Sequence, residues 1–161
     1  MSKKTKDPSL NEKSLFDADS KNFEKIEILS KLREMQGKAQ NYKTKKNLDD
    51  AIILSDKIMR LAVKYDLPSI IKDQKEFIKK IAEEVEKDYF KPKIKQFAGW
   101  ILTQYDKLVS SDGIYQAHNL VKSLKESYGE LPGFNSISEV QQIIRKDEKE
   151  WLKFKLKRQN F

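Results

Sequence analysis

One spacing recurs along this chain and limits what it can fold into. In three places an aromatic residue is followed nine positions later by a small or branched one, and these pairs are Tyr42 with Ala51, Tyr89 with Ala98 and Tyr128 with Ile137. Each pair spans a break between two stretches whose apolar residues recur every three or four positions, as they do on one face of an α-helix. The spacing therefore predicts pairs of helices joined by short turns and stacked as hairpins.

The helices themselves follow from the apolar stripes and from the residues that interrupt them. The clearest stripe begins after Ser20, a candidate N-cap, and further breaks are expected at Lys43–Lys46, Asp66–Ser69, Phe90–Lys93, Ser110–Gly113 and Glu130–Asn135. These breaks predict an all-α fold of about six helices in antiparallel hairpins. The fifth helix is expected from about Ile114 to Tyr128, with Gly129 as its C-terminal cap.

The loop after this helix and the tryptophan of the fourth helix are both expected in the core. In the loop, Leu131 and Phe134 are the apolar residues that should tuck inward, and Ser136 with Glu139 has the pattern of a capping box. Trp100 lies in an apolar run beside Gly99, and small residues of this kind let a neighbouring helix approach closely.

The first hairpin resembles a tetratricopeptide repeat (TPR), best over residues 35–65. Met35, Ala39, Tyr42 and Ala51 stand where that family has its first large residue, the small and aromatic residues of helix A, and the alanine at the start of helix B. The usual closing proline is absent. The resemblance implies a TPR-like α-solenoid, whose stacked hairpins form an extended concave surface, and a closed helical bundle is the alternative.

Composition excludes several kinds of site. The 161 residues contain no Cys and a single His, so disulfides, thiolate metal sites and a usual zinc site are not expected. No glycine-rich phosphate-binding motif occurs, and the acidic cluster at 83–88 alternates with lysines as a solvated helix face does. We therefore expect no enzymatic activity, no cofactor and no metal. His118 is interpreted as an ordinary helix residue, and Asp147–Glu150 as a charged face.

Three regions are expected along the chain. Residues 1–19 are basic and poor in apolar residues, which predicts a flexible N-terminal tail, and residues 20–150 form a single helical domain. From Trp151, apolar and basic residues alternate with a period of two, so residues 151–161 are read as a separate basic and apolar C-terminal tail. This tail is either the end of the sixth helix or a linear segment that docks by strand addition or as a basic amphipathic patch on anionic lipid or nucleic acid.

The formal net charge of +8 bears on the partner. Of the 33 basic residues only four are arginine, and lysine acts as a hydrated point charge rather than as a bidentate ligand. Our main hypothesis is a non-enzymatic scaffold or adaptor, a helical protein–protein interaction module whose groove holds an acidic peptide or helix of a partner protein. Its candidate partner-binding residues are Gln36, Lys38, Asn41, Lys45, Gln74, Lys79, Trp151 and Phe154.

The alternative hypothesis is a basic accessory protein that binds RNA or DNA phosphates without sequence specificity. Its candidate contacts are Lys43, Lys45, Lys46, Lys153, Lys155, Lys157 and Arg158. No apolar run is long enough to cross a membrane, and the first residues lack the apolar stretch of a secretory signal, so a cytoplasmic protein without a transmembrane segment is expected.

Overall fold

The computed structural model describes the backbone of residues 8–159 and the side chains of residues 23–159. Within that range the chain forms six α-helices and no strand, which confirms the all-α prediction. The α-helices are α1 Pro8–Thr44, α2 Leu48–Lys64, α3 Pro68–Glu84, α4 Lys91–Ser110, α5 Ile114–Tyr128 and α6 Ser138–Gln159. A 3₁₀ helix, Phe134–Ser136, precedes α6.

Both ends of the helical region differ from the prediction. The first helix begins at Pro8 rather than after Ser20, so it includes part of the segment predicted as the N-terminal tail. Proline suits this position because a first helical turn needs no N–H from it. At the other end α6 continues through Trp151 to Gln159, so the period of two does not mark a separate tail. Residues 1–7 and 160–161 lie outside the described residues.

The three short turns that join α1 to α2, α2 to α3 and α4 to α5 have the same backbone structure. In each, the chain passes through one left-handed residue, and these residues are Lys46 (φ 65°), Asp66 (φ 54°) and Asp112 (φ 61°). The following N–H bonds a carbonyl five residues back, as Asn47 N–H does to Tyr42 O at 2.8 Å. This is the Schellman closure, and it explains why the predicted breaks produce sharp helix reversals.

Packing is centred on α5, which lies against α2, α3, α4 and α6. In a solenoid each hairpin contacts only the neighbouring hairpins. Here α5, which belongs to the third pair of helices, also packs on α2 of the first pair. Within the described range α5 is therefore the central helix of the all-α fold. Both α2 and α4 pack on α5, and their side chains meet where Asp49 pairs with Lys93 and where Arg60 lies over Trp100.

Two of the three core predictions near α5 are confirmed. Leu131 and Phe134 of the loop before α6 are buried, at 9% and 3% exposure. The prediction for Trp100 is wrong, because its side chain is 41% exposed and no neighbouring helix approaches Gly99 within 4 Å of a β-carbon position. Trp100 instead lies at the edge of the space between α2 and α4.

We predict that Lys46→Gly raises the free energy of unfolding by about 0.5–1 kcal/mol, because glycine adopts a positive φ without a β-carbon clash. The Lys46 side chain is exposed, so its loss removes little packing. Urea denaturation followed by circular dichroism measures the change. Lys38→Gly, at an exposed interior position of α1, is the control and is expected to destabilise by about 1 kcal/mol. Destabilisation by both substitutions would contradict the left-handed turn.

Candidate functional site

Two pockets lie between α2 and α4 and together are called the groove; residues of α5 line the first of them. The first pocket, of about 370 Å³, lies towards the end of α2. The leucines Leu61, Leu108 and Leu120 come from three different helices and provide its apolar surface. All three leucines are partly exposed, so this apolar surface is not fully covered by the described chain.

The rim of this pocket is basic on one side and neutral on the other. Lys57, Arg60 and Lys64 follow one another on α2 at the spacing of a single helix face, and Gln116 with Asn119 faces them from α5. Among residues 23–159, none of the three cations forms an ion pair with a carboxylate. The pocket therefore presents unneutralised positive charge beside apolar surface.

The second pocket, of about 510 Å³, lies nearer the start of α2 and α4. Its apolar lining includes Ile53, which is 66% exposed, and Phe97 stacked on Trp100 with their ring centroids 6.2 Å apart. The guanidinium of Arg60, which lines the first pocket, lies 5.3 Å from the ring centroid of Trp100, which lines the second, so this contact crosses from α2 to α4 between the two pockets. From Asp49 to Lys64 the groove follows α2 for about 22 Å, at 1.5 Å per residue.

Asp56 lines the second pocket and is the most strongly perturbed carboxyl of the groove. The Tyr128 hydroxyl donates a hydrogen bond of 2.6 Å to Asp56 Oδ1. Burial raises the pKa of Asp56 to about 7, although the Tyr128 hydrogen bond and the charges of Arg60 and Lys93 oppose that shift. Near neutral pH this carboxyl is therefore partly protonated and its negative charge is reduced.

Asp49, at the mouth of the same pocket, has the opposite shift. Lys93 Nζ lies 2.5 Å from Asp49 Oδ1, and the Tyr89 hydroxyl donates to the same oxygen at 2.9 Å. These hydrogen bonds and the charge of Lys93 lower the pKa of Asp49, which stays ionised. Its charge is neutralised by Lys93, so the cations around Arg60 dominate the groove.

A second cluster of polar side chains lies between α4, α5 and α6, away from the groove. The carboxylate of Asp147 accepts hydrogen bonds from the Tyr105 hydroxyl at 2.7 Å and from His118 Nδ1 at 2.8 Å. The His118 ring stacks on Trp151 with a centroid distance of 4.0 Å. The prediction that Asp147 belongs to a charged face is wrong, because Asp147 is only 2% exposed.

The contacts of this cluster attach α6 to α4 and α5, so we interpret the cluster as structural. Burial and the hydrogen bond to Asp147 raise the pKa of Tyr105, so its hydroxyl stays a donor. The described residues contain no group of three or more metal-ligating side chains. One signal for Asp147 was present in the sequence, since it continues the inward spacing of Val140 and Ile143.

The predicted partner-binding residues do not form one surface, although Gln36 bonds Gln74 and Trp151 stacks on Phe154. The Gln74 side chain is 2% exposed and bonds Ser55 Oγ and Gln36 at 2.8 Å each, so Gln74 does not line a surface groove. Lys38, Asn41 and Lys45 are exposed on or just after α1, and Lys79 pairs with Glu130 at 2.9 Å. Trp151 and Phe154 pack with Tyr115 on the far side of the bundle.

The lysines of the nucleic-acid alternative form two separate groups. Lys43, Lys45 and Lys46 lie where α1 meets α2, and Lys43 pairs with Glu84 at 3.2 Å. The second group lies on α6, where Lys153 pairs with Glu150 at 3.6 Å and Arg158 donates a hydrogen bond to the Tyr115 hydroxyl. Since α1 packs mainly on α2, and α6 on α4 and α5, the two groups do not form one basic surface.

Comparison with known proteins gives no relative from which to assign a function, since no protein-family model, curated protein or solved structure matches the chain. Within the described part of the chain, no helix combines the length and the apolar composition needed to cross a membrane. The resemblance of the first hairpin to TPR proteins stays a prediction.

We predict that Asp56→Asn flattens the dependence of stability on pH. Because the folded pKa of about 7 lies above the ordinary value of 3.8, the folded state binds the extra proton and the free energy of unfolding falls as pH rises between these values. The amide carries no charge to desolvate, so the variant should be more stable than the native chain above pH 7. Urea titrations across this range measure it, with exposed Asp88→Asn as the control for charge. If stability changed with pH in the same way for the native and Asp56→Asn chains, the raised pKa of Asp56 would be contradicted.

We predict that Tyr105→Phe lowers the free energy of unfolding by about 1–3 kcal/mol, because it removes a donor from buried Asp147. Thermal and urea denaturation measure the loss. Tyr42→Phe, at an exposed position, changes the same atom without a buried partner and should have little effect. Equal effects of the two substitutions would show that the hydrogen bond from Tyr105 to Asp147 does not stabilise the fold.

Proposed function

We propose that this protein is a non-enzymatic interaction module and that the groove between α2 and α4 binds an acidic amphipathic segment of a partner protein. The single observation that carries the proposal is the series Lys57, Arg60 and Lys64, which forms no ion pair among residues 23–159 and lies beside partly exposed leucines. The proposed ligand is an α-helix or peptide with leucine-like residues towards the leucines of the groove and carboxylates towards α2.

The dimensions of the groove support a helical ligand. A groove of about 22 Å matches a helix of about 15 residues, or four turns. Helices bind in such grooves through apolar residues at positions i, i+3, i+4 and i+7, which form one stripe. The exposed Ile53 and Trp100 and the leucines of the first pocket lie along this length and would contact that stripe.

Charge supports an acidic ligand rather than a neutral one. Lys57, Arg60 and Lys64 extend along one side of the groove, so carboxylates at the same helical spacing on a ligand would meet each of them. Charges of this kind on an exposed rim accelerate association and select the partner more than they raise the final affinity. Gln116 and Asn119 on the opposite side offer neutral hydrogen bonds and do not repel carboxylates.

The test uses two designed peptides of about 15 residues, matched to the length of the groove. Both carry the same leucine stripe, but one has glutamate and the other lysine at the flanking positions, and each bears a fluorescent label. Anisotropy titration at low salt measures their affinities. We predict that the native chain binds the glutamate peptide at least about tenfold more tightly than the lysine peptide, because only the former complements the basic rim.

The matched variants separate the groove from bulk charge. Lys57→Glu, Arg60→Glu and Lys64→Glu together should reverse the preference, whereas Lys72→Glu, Lys80→Glu and Lys91→Glu change net charge equally at exposed positions outside the groove. Ile53→Ser should weaken binding without any change of charge. Equal loss in both triple variants, or no binding of the glutamate peptide, would contradict the proposal. If the native chain bound a labelled oligonucleotide but not the glutamate peptide, the nucleic-acid alternative would be favoured.

A further inference from the structure

The outer face of α6 has a composition unlike the rest of the surface. Lys149, Leu152, Lys153, Leu156 and Lys157 follow one another at positions i, i+3, i+4, i+7 and i+8, which places them on one side of the helix. All five side chains are exposed, and the two leucines are 54% and 50% exposed. Two adjacent leucines so exposed, with three lysines beside them, form an amphipathic face without a partner in the described chain.

The inner side of α6 holds this face outward. Trp151 stacks on His118, and Phe154 meets Tyr115 edge-on with a ring centroid distance of 5.3 Å. Rotation of the helix to bury Leu152 and Leu156 would break both aromatic contacts and the hydrogen bond between His118 and Asp147. The leucines are therefore fixed in their exposed position by the packing of the opposite side.

A pocket of about 600 Å³ adjoins the face between the end of α4, the start of α5 and α6. Its apolar lining comes from Val109, Ile114 and Leu156, and Lys153 and Lys157 lie at its edge. Two acids, Asp112 and Glu150, also line it, and Glu150 is paired with Lys153 at 3.6 Å. The pocket extends the apolar surface beyond the two leucines while keeping lysines at its mouth.

We propose that this face of α6 binds the surface of a bilayer that contains anionic phospholipid. Leu152 and Leu156 would enter the boundary between headgroups and acyl chains, while the lysines would contact the phosphates. Lysine is depleted in the dry centre of protein interfaces, and here Lys149, Lys153 and Lys157 flank the leucine pair on one side, while one acid, Glu148, lies one turn before Leu152. A bilayer accepts this arrangement, because lysine stems can extend to the headgroups while the leucines stay buried.

Co-sedimentation with vesicles tests the proposal on the full chain. We predict that the native protein sediments with vesicles of mixed phosphatidylcholine and phosphatidylserine and not with phosphatidylcholine alone. Leu152→Ser with Leu156→Ser should lower the vesicle partition coefficient at least about tenfold, because the apolar contribution is lost without a change of charge. Lys149→Glu, Lys153→Glu and Lys157→Glu together should abolish binding.

The variant Lys72→Glu, Lys80→Glu and Lys91→Glu carries the same charge change away from α6 and should keep most of the binding. Circular dichroism confirms that each variant is folded. The proposal is overturned if the serine variant binds as the native chain does, if both lysine variants lose binding equally, or if mixed vesicles bind nothing. Displacement by inorganic phosphate together with an unaffected serine variant would also overturn it, because it would indicate a phosphate ion site. These outcomes do not depend on the groove between α2 and α4.

Discussion

The burial of α5 among four other helices is the interaction on which the rest of the structure depends. Ala117, Val121 and Leu124 are fully buried, and Tyr128 at the end of the helix is 1% exposed. These residues belong to one apolar cluster that also contains buried residues of α2, α3, α4 and α6. Because interiors are packed as densely as organic crystals, a change of shape on α5 would be felt on several helices at once.

The groove is a consequence of this central position. Both α2 and α4 pack on α5, and the groove lies between them. The space between them keeps an apolar floor, because Leu120 of α5 faces outward there. The groove and the core thus share one helix, and the hydroxyl of Tyr128 reaches from the core to Asp56 in the groove.

Most helices could be predicted from the sequence, because helix boundaries depend on residues that are close together in the chain. The fifth helix was expected from Ile114 to Tyr128, and the structure has these bounds. The separation of α3 from α4 was also expected, but the break lies at residues 85–90 rather than at Phe90–Lys93. Pro92 stands in the first turn of α4, where its missing N–H is not needed. The start of α1 at Pro8 was missed, because Ser20 is an equally good local signal for a helix start.

The site depends on contacts between distant helices, which local patterns do not encode. Lys57, Arg60 and Lys64 have the spacing of an ordinary solvated helix face, and only the position of α4 turns that face into a groove. Asp147 adjoins a run of charges, and its burial depends on Tyr105 and His118. The wrong prediction for Gln74 has the same cause. In the sequence a buried glutamine cannot be told from an exposed one, because its hydrogen-bond partners lie on other helices.

The hydrogen bonds that run from Gln36 through Gln74 to the hydroxyl of Ser55 affect the position of α1 along its neighbours. They cross three helices where the two apolar clusters meet, with buried residues such as Ile58 on one side and Ile52 on the other. Apolar contacts alone tolerate sliding of one helix along another, whereas an interior amide without a partner is costly. A shift of α1 by one turn would break its Gln36 contact, so these side chains select a single register for the longest helix.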